Sequence, residues 1–118
     1  MQIFRTDEYI KIKNSNPDER LKQDTLTSLQ KAEEMGGIFV VLPPGMQLPY
    51  HYHEKRESLI IAISGEATEI VDGKEFPFKA GDILYIPAQE KHAMVNKTGK
   101  EFRYLEFFTR PGETATSV

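Results

Sequence analysis

The segment Pro49-Tyr50-His51-Tyr52-His53-Glu54 decides how this chain of 118 residues is interpreted. It contains two of the three histidines, and the third, His92, follows 39 residues after His53. On an extended strand, side chains two positions apart point to the same face, so His51 and His53 would present two imidazoles to one point in space. An imidazole from a distant strand could complete a metal site with open positions for water or substrate. The alternative is that the pair lies on a strand surface and His92 caps a turn.

Turn residues flank the first histidine pair at set distances. Five residues separate Gly45 from His51, three separate His53 from Glu57, and seven separate Glu57 from Gly65. Glycine at both ends indicates a strand pair bounded by turns, because glycine tolerates backbone conformations that other residues avoid.

The second histidine segment has a similar frame. Five residues separate Gly81 from Pro87, and three separate His92 from Asn96. Together the two segments, from 45 to 96, resemble the two signature motifs of the cupin superfamily. This resemblance implies an all-β fold: a single-domain, double-stranded β-helix, or jelly-roll, barrel. It also implies a divalent metal ion (iron, manganese, nickel or zinc) with the ligands His51, His53, Glu57 and His92.

The sequence departs from these motifs at two positions. Gln89 occupies the place where the second motif usually has glycine, so the turn either needs no positive φ or tolerates a side chain there. The position that leaves six residues before Gly65, as in the motif, is Ser58, whereas Glu57 is reached only by counting forward from His53. Because facing alternates along a strand, either Glu57 ligates and a bulge absorbs the extra residue, or Ser58 faces a three-histidine site.

Strand signals extend over the barrel predicted for residues 37–108. Apolar runs end at Gly or Pro turns every 8 to 12 residues, as in sandwiches and barrels, and Asp72-Gly73 is a strong hairpin signal. The predicted strand segments are 38–42, 58–64, 69–71, 74–76, 83–86, 93–95 and 102–108.

The flanking segments are harder to interpret. Residues 1–36 are predicted as a strand and turn segment, with a strand at 9–12 and a short helical turn within 28–35. Residues 109–118 lack periodicity and are predicted to form a flexible tail. We expect a homodimer, because apolar residues near the N-terminus are hard to bury within one short chain and an exposed edge strand gains from a partner. These residues are Ile3, Phe4, Tyr9, Ile10 and Ile12.

Composition narrows the class of partner. The formal net charge is −3 without a block of like charges, so nothing indicates a nucleic-acid or polybasic membrane surface. The chain has no cysteine and no apolar run near the ~20 residues of a membrane span. We expect a cytoplasmic protein whose partner is a small molecule.

Three function classes fit the sequence. The first is a metalloenzyme, such as a dioxygenase, decarboxylase or isomerase, acting on a small carboxylate, carbonyl or sugar-type molecule. The second is a non-catalytic module that binds a small molecule. The third is an interaction dimer with a vestigial metal site. The sequence identifies neither the substrate nor any catalytic residue, because one fold hosts many reactions.

Overall fold

The computed structural model describes residues 1–25 and 32–118. This part of the chain contains one short helix, α1 (Thr6–Ile10), and ten strands. The strands are β1 (Leu21–Asp24), β2 (Met35–Leu42), β3 (His51–Tyr52), β4 (Ser58–Ser64), β5 (Glu66–Val71), β6 (Lys74–Lys79), β7 (Ile83–Ile86), β8 (His92–Val95), β9 (Phe102–Thr109) and β10 (Thr116–Ser117).

The strands form two antiparallel sheets of five strands each within the described residues. One sheet has the order β1-β2-β9-β4-β7 and the other the order β10-β3-β8-β5-β6. Apart from the pairs β1-β2 and β5-β6, neighbouring strands are not consecutive in sequence, which is typical of a jelly roll. The prediction of an all-β, double-stranded β-helix barrel is confirmed.

The main core lies between the two sheets and follows the period of two along the long strands. Ile38, Val40 and Leu42 of β2 point inward, and alternate residues of β4 and β9 do the same. Each fully buried side chain of this size contributes roughly 1.5–3 kcal/mol. The other buried members are Ile60, Ala62, Ala67, Phe78, Ile86, Met94, Phe102 and Tyr104.

Two turns show why their sequences are suited to these positions. Asp72 and Gly73 have φ of 55° and 73°, the left-handed pair that a two-residue hairpin between β5 and β6 requires. Gly65 has φ of 83°, and a Cβ there would lie 2.6 Å from the carbonyl oxygen of Glu101. Both turns hold the ends of strands that border the inner core.

The N-terminal segment is helical where a strand was predicted. The prediction of a strand at 9–12 is wrong, because α1 ends at Ile10. Tyr9 and Ile12 are three positions apart, and both pack in the outer core cluster with Phe39. A run of only four alternating residues does not distinguish a helical turn from a strand. The ring centroids of Tyr9 and Phe39 are 5.0 Å apart, so α1 covers the outer face of β2.

Two further predictions have different outcomes. The predicted helical turn within 28–35 lies partly outside the described residues; within the described part, residues 33–34 form a bend and Met35 begins β2. Residues 109–118, predicted as a flexible tail, begin in β9 and include β10, which pairs with β3. None of the helices in the described part is long and apolar enough to cross a membrane.

Candidate functional site

The three histidines meet on the inner side of the second sheet. His51 of β3 is the direct cross-strand partner of His92 at the start of β8, and their ring centroids are 4.5 Å apart. His53, one residue beyond β3, lies with its ring centroid 5.6 Å from that of His51. All three side chains line one cavity. We call this group the histidine wall.

Hydrogen bonds orient two of these rings. The Nδ1 of His51 lies 2.8 Å from the carbonyl oxygen of Pro49, which can only accept, so Nδ1 carries the proton. The Nδ1 of His92 lies 2.5 Å from the Oε1 of Glu69. When Nδ1 donates, Nε2 keeps the lone pair that a metal ion uses, and such partners commonly orient metal-binding histidines.

The surroundings of His51 and His53 favour the neutral form of both imidazoles. Burial lowers the pKa of His53 to about 4, and the nearby Arg56 guanidinium acts in the same direction. Burial also lowers the pKa of His51. Neutral imidazole is the form that binds metal, so neither ring has to lose a proton at pH 7 before binding an ion.

Glu69 supports the histidine wall through its hydrogen bond with His92, and this role was not predicted from the sequence. Its side chain is about 1% exposed, and burial raises its pKa while the hydrogen bond with His92 opposes that rise. A signal was available, because Ala67 and Glu69 alternate on the inner face of β5 and a carboxylate rarely occupies such a position without a partner.

The structure does not bring Glu57 to the histidines. Its carboxylate accepts a hydrogen bond from the hydroxyl of Tyr85 at 2.7 Å, and it lines a separate groove on the outer side. Ser58 is buried and lines the cavity of the histidine wall. The register of β4 shifts between Ala62 and Ser64, so the extra residue before Gly65 is absorbed beyond Ser58. The bulge therefore does not turn Glu57 inward.

The donor chemistry of the histidine wall fits a divalent ion. No three His, Cys, Asp or Glu side chains among residues 1–25 and 32–118 are assembled closely enough to form a metal-binding group. The rings nevertheless face one cavity, and the buried Nδ1 of His53 has no hydrogen-bond partner in the described part of the chain. These are the donor type and protonation state that a zinc, iron, manganese or nickel ion takes.

The cavity in front of the histidine wall has a volume of about 520 Å³ and is open at one side. Arg20, just before the edge strand β1, lines it together with Lys22 and Asp24 of β1, and so do Ser58 and Glu106. The lining also includes apolar side chains from both sheets: Ile38, Leu48, Ile60, Ile86, Met94 and Phe108. This mixture of an apolar body with a few polar groups is typical of a site for a small molecule.

Arg56 ties the C-terminal segment across one side of the cavity. Its Nη2 donates to the carbonyl oxygens of Arg110, Pro111 and Glu113 at 3.1, 3.1 and 2.7 Å. Its guanidinium also lies 4.2 Å from the ring centroid of Phe108. Residues 114, 115 and 117 thereby line the cavity, so residues predicted as a tail form part of its wall.

Residues 38–108 match the family described as Cupin domain, which is more than half of the chain. The chain belongs to the cupin family. A 64-residue stretch is 31% identical to the oxalate-binding protein of Thermotoga maritima, covering 54% of this chain and 53% of that protein. The match thus spans about half the length of that relative.

Solved structures of cupins share the fold. An uncharacterized double-stranded β-helix protein of Klebsiella pneumoniae superimposes with a TM-score of 0.79 at 22% identity, covering 99% of this chain and 91% of that one. A sugar phosphate isomerase of the cupin superfamily from Silicibacter pomeroyi gives a TM-score of 0.76 at 28% identity, covering 86% of this chain and 66% of that one. The first likeness concerns the fold alone.

Proposed function

We propose that this cupin binds a divalent metal ion through His51, His53 and His92 and uses it to capture a small organic anion. The observation that carries the proposal is the histidine wall: three imidazoles face one cavity, and the Nδ1 atoms of two of them are engaged by Pro49 and Glu69. These two hydrogen bonds orient the rings of His51 and His92 and thereby fix the direction of their Nε2 atoms.

The charge of such a site favours an anionic ligand. Three neutral imidazoles leave the +2 charge of the ion uncompensated, so the ion attracts a carboxylate. Arg20 and Lys22 line the cavity and add positive charge to it. The likeness to a protein named for oxalate binding points to the same chemical class, a small carboxylate.

Metal analysis tests the metal-binding part of this function directly. Purified wild-type protein, His51→Ala and His92→Ala should be compared for bound metal after incubation with Mn²⁺ or Zn²⁺ and removal of the excess. We expect about one ion per chain in the wild type and a strong loss in both variants. All three should remain folded by circular dichroism, because the apolar core does not depend on the ion. Equal metal content in the three proteins would rule out this ligand set.

A second candidate function is catalysis at the same site. The likeness to a sugar phosphate isomerase favours it, as does the presence of Glu106, a titratable group, inside the cavity. A bound ion would supply Lewis-acid polarisation of a carbonyl, or redox chemistry if it is iron or manganese. Metal-loaded protein should be screened for turnover of sugar phosphates and for oxygen uptake with small carboxylic acids. Binding of an anion without turnover would favour the non-catalytic function.

We also propose that the protein is a homodimer, although the face differs from the one indicated by the sequence. Phe4, Tyr9 and Ile12 pack on the chain's own outer cluster, whereas Ile3 and Ile10 are exposed. A second exposed apolar surface lies on the outer side of β4 and the edge strand β7. Its most exposed members are Met35, Leu59, Ile83 and Tyr85.

A further inference from the structure

Glu106 lies on the wall of the cavity that the first sheet forms, opposite the histidine wall. It belongs to β9 in the first sheet, whereas His51 and His92 belong to the second sheet. Its cross-strand neighbours are Ile38 on β2 and Ile60 on β4, and both also line the cavity. A ligand held by the histidine wall would therefore lie between that wall and a carboxyl group set in an apolar surface.

Ser58 is a polar neighbour of this carboxyl group. The two side chains lie close enough to interact, and both line the cavity. The Ser58 hydroxyl stabilises the ionised form of the Glu106 carboxyl, whereas burial disfavours that form and is the larger influence on its pKa, which is raised.

Charged groups on several elements face Glu106. His92 on β8, Arg56 before β4 and Lys22 on β1 favour its ionised form. Glu69 and Tyr104 lie close enough to Glu106 to interact with charges there. The other titratable groups of the cavity lining are Arg20, Asp24, His51, His53 and Glu113. Glu113 accepts a hydrogen bond from the backbone N–H of Lys55, so it is already engaged.

We propose that Glu106 in its acid form donates a hydrogen bond to the anion bound at the metal, so that capture of a carboxylate takes up one proton from solvent. This inference rests on the proposed function and deepens it by naming a residue that selects anions able to accept a hydrogen bond. An ionised Glu106 would face the ligand with like charge in an apolar surrounding, which costs free energy unless the carboxyl is protonated. A carboxylic acid kept neutral by an apolar site can donate in this way.

Calorimetry with oxalate as the probe tests the proposal. Wild-type protein loaded with Mn²⁺ and freed of excess ion should be titrated with oxalate between pH 6.5 and 8.5, in buffers of different ionisation enthalpy. We expect uptake of about one proton per oxalate at pH values above the raised pKa of Glu106. There the dissociation constant should rise by about tenfold per pH unit, because only the protonated form binds.

Three variants separate the contribution of Glu106 from that of the fold. Glu106→Gln keeps a donor of similar shape that does not titrate, so it should bind oxalate with little pH dependence and without proton uptake. Ser58→Ala removes the hydroxyl that favours the ionised carboxylate, so the loss of affinity should begin at a higher pH than in the wild type. Glu66→Gln makes the same chemical change at an exposed position outside the cavity and should resemble the wild type.

The possible outcomes distinguish the two proposals. Tight oxalate binding with the same pH dependence in the wild type and Glu106→Gln would overturn the proton-donor role and leave the proposed function intact. No oxalate binding to metal-loaded wild type would overturn the anion-binding function and this inference with it. Normal Mn²⁺ content in Glu106→Gln is expected in either case, because Glu106 is not among the proposed ligands.

Discussion

At the scale of single residues, the difference between Glu57 and Ser58 determines the charge of the candidate site. They are adjacent in sequence, yet Ser58 lines the cavity and Glu57 bonds to Tyr85 on the outer side. A carboxylate ligand would reduce the charge of a divalent site to +1, whereas three histidines leave it at +2. The placement of Ser58 thus favours a site that attracts anions.

A substitution of Glu57 gives the first residue-scale prediction. Glu57→Ala should retain the metal content of the wild type, because the carboxylate is bonded to Tyr85 and does not line the cavity. Tyr85→Phe is the matched control, since it removes the same hydrogen bond and keeps the carboxylate. Bound Mn²⁺ per chain is the measurement. A large loss in Glu57→Ala but not in Tyr85→Phe would restore Glu57 as a ligand.

The sequence predicts the histidine wall well but not the groups that support it. Spacing of two on a strand, with a third imidazole returning from elsewhere, is a local pattern that alternation translates directly into geometry. Glu69 lies on β5 and Glu106 on β9, and both strands pair with strands that are distant in sequence. Strand facing alone would have indicated Glu69, whereas the position of Glu106 opposite the histidines depends on the packing of two sheets.

At the scale of secondary structure elements, β2 and the strands from β4 to β9 were predicted at least in part, whereas β1, β3 and β10 were not. β2, β4 and β9 carry enough alternating apolar residues to be recognised. β3 and β10 have two residues each. They are defined by tertiary pairing, since β10 pairs with β3 and β3 pairs with β8. The end of α1 was predicted as a strand, because the contact of Tyr9 with Phe39 is a tertiary contact that the local sequence does not reveal. Local sequence contains little information about such elements.

The turn before β8 gives the element-scale prediction. Gln89 has φ of 69°, so of the two alternatives the turn tolerates a side chain at a positive φ. Its backbone N–H donates to the carbonyl oxygen of His53 at 2.6 Å, which connects the turn to the histidine wall. Gln89→Gly should raise the free energy of unfolding by up to about 1 kcal/mol, because glycine adopts this φ without steric cost.

Urea denaturation of wild type, Gln89→Gly and Gln89→Ala measures this effect. Alanine removes the side chain beyond Cβ and keeps the backbone cost, so Gln89→Ala should stay close to the wild type. A destabilised glycine variant would mean that side-chain contacts of Gln89, rather than the backbone, dominate at this turn. Metal content should be the same in all three proteins, since the bond to His53 uses only the backbone.

At the scale of the whole molecule, the two faces of the first sheet are used differently. Its inner face contributes to the core and to the cavity. On its outer face, α1 and the N-terminal segment cover β2, part of β9 and the part of β4 that contains Ile61 and Ile63, while Leu59 of β4 and the outer side of β7 stay exposed. The open part contains an apolar groove of about 260 Å³ next to the edge strand β7. Exposed edges and apolar patches of this kind favour association.

We therefore predict a dimer that buries the outer face of β4 and β7. Leu59 and Ile83 are 46% and 66% exposed, so Leu59→Lys combined with Ile83→Lys should place charges in the interface and yield a monomer. Phe76→Lys is the matched control, because Phe76 is 48% exposed but belongs to β6 in the other sheet, and it should leave the dimer intact. Light scattering at tens of micromolar measures the mass of each protein. A monomeric wild type would refute the dimer, and a dimer that persists in the double variant would place the interface elsewhere.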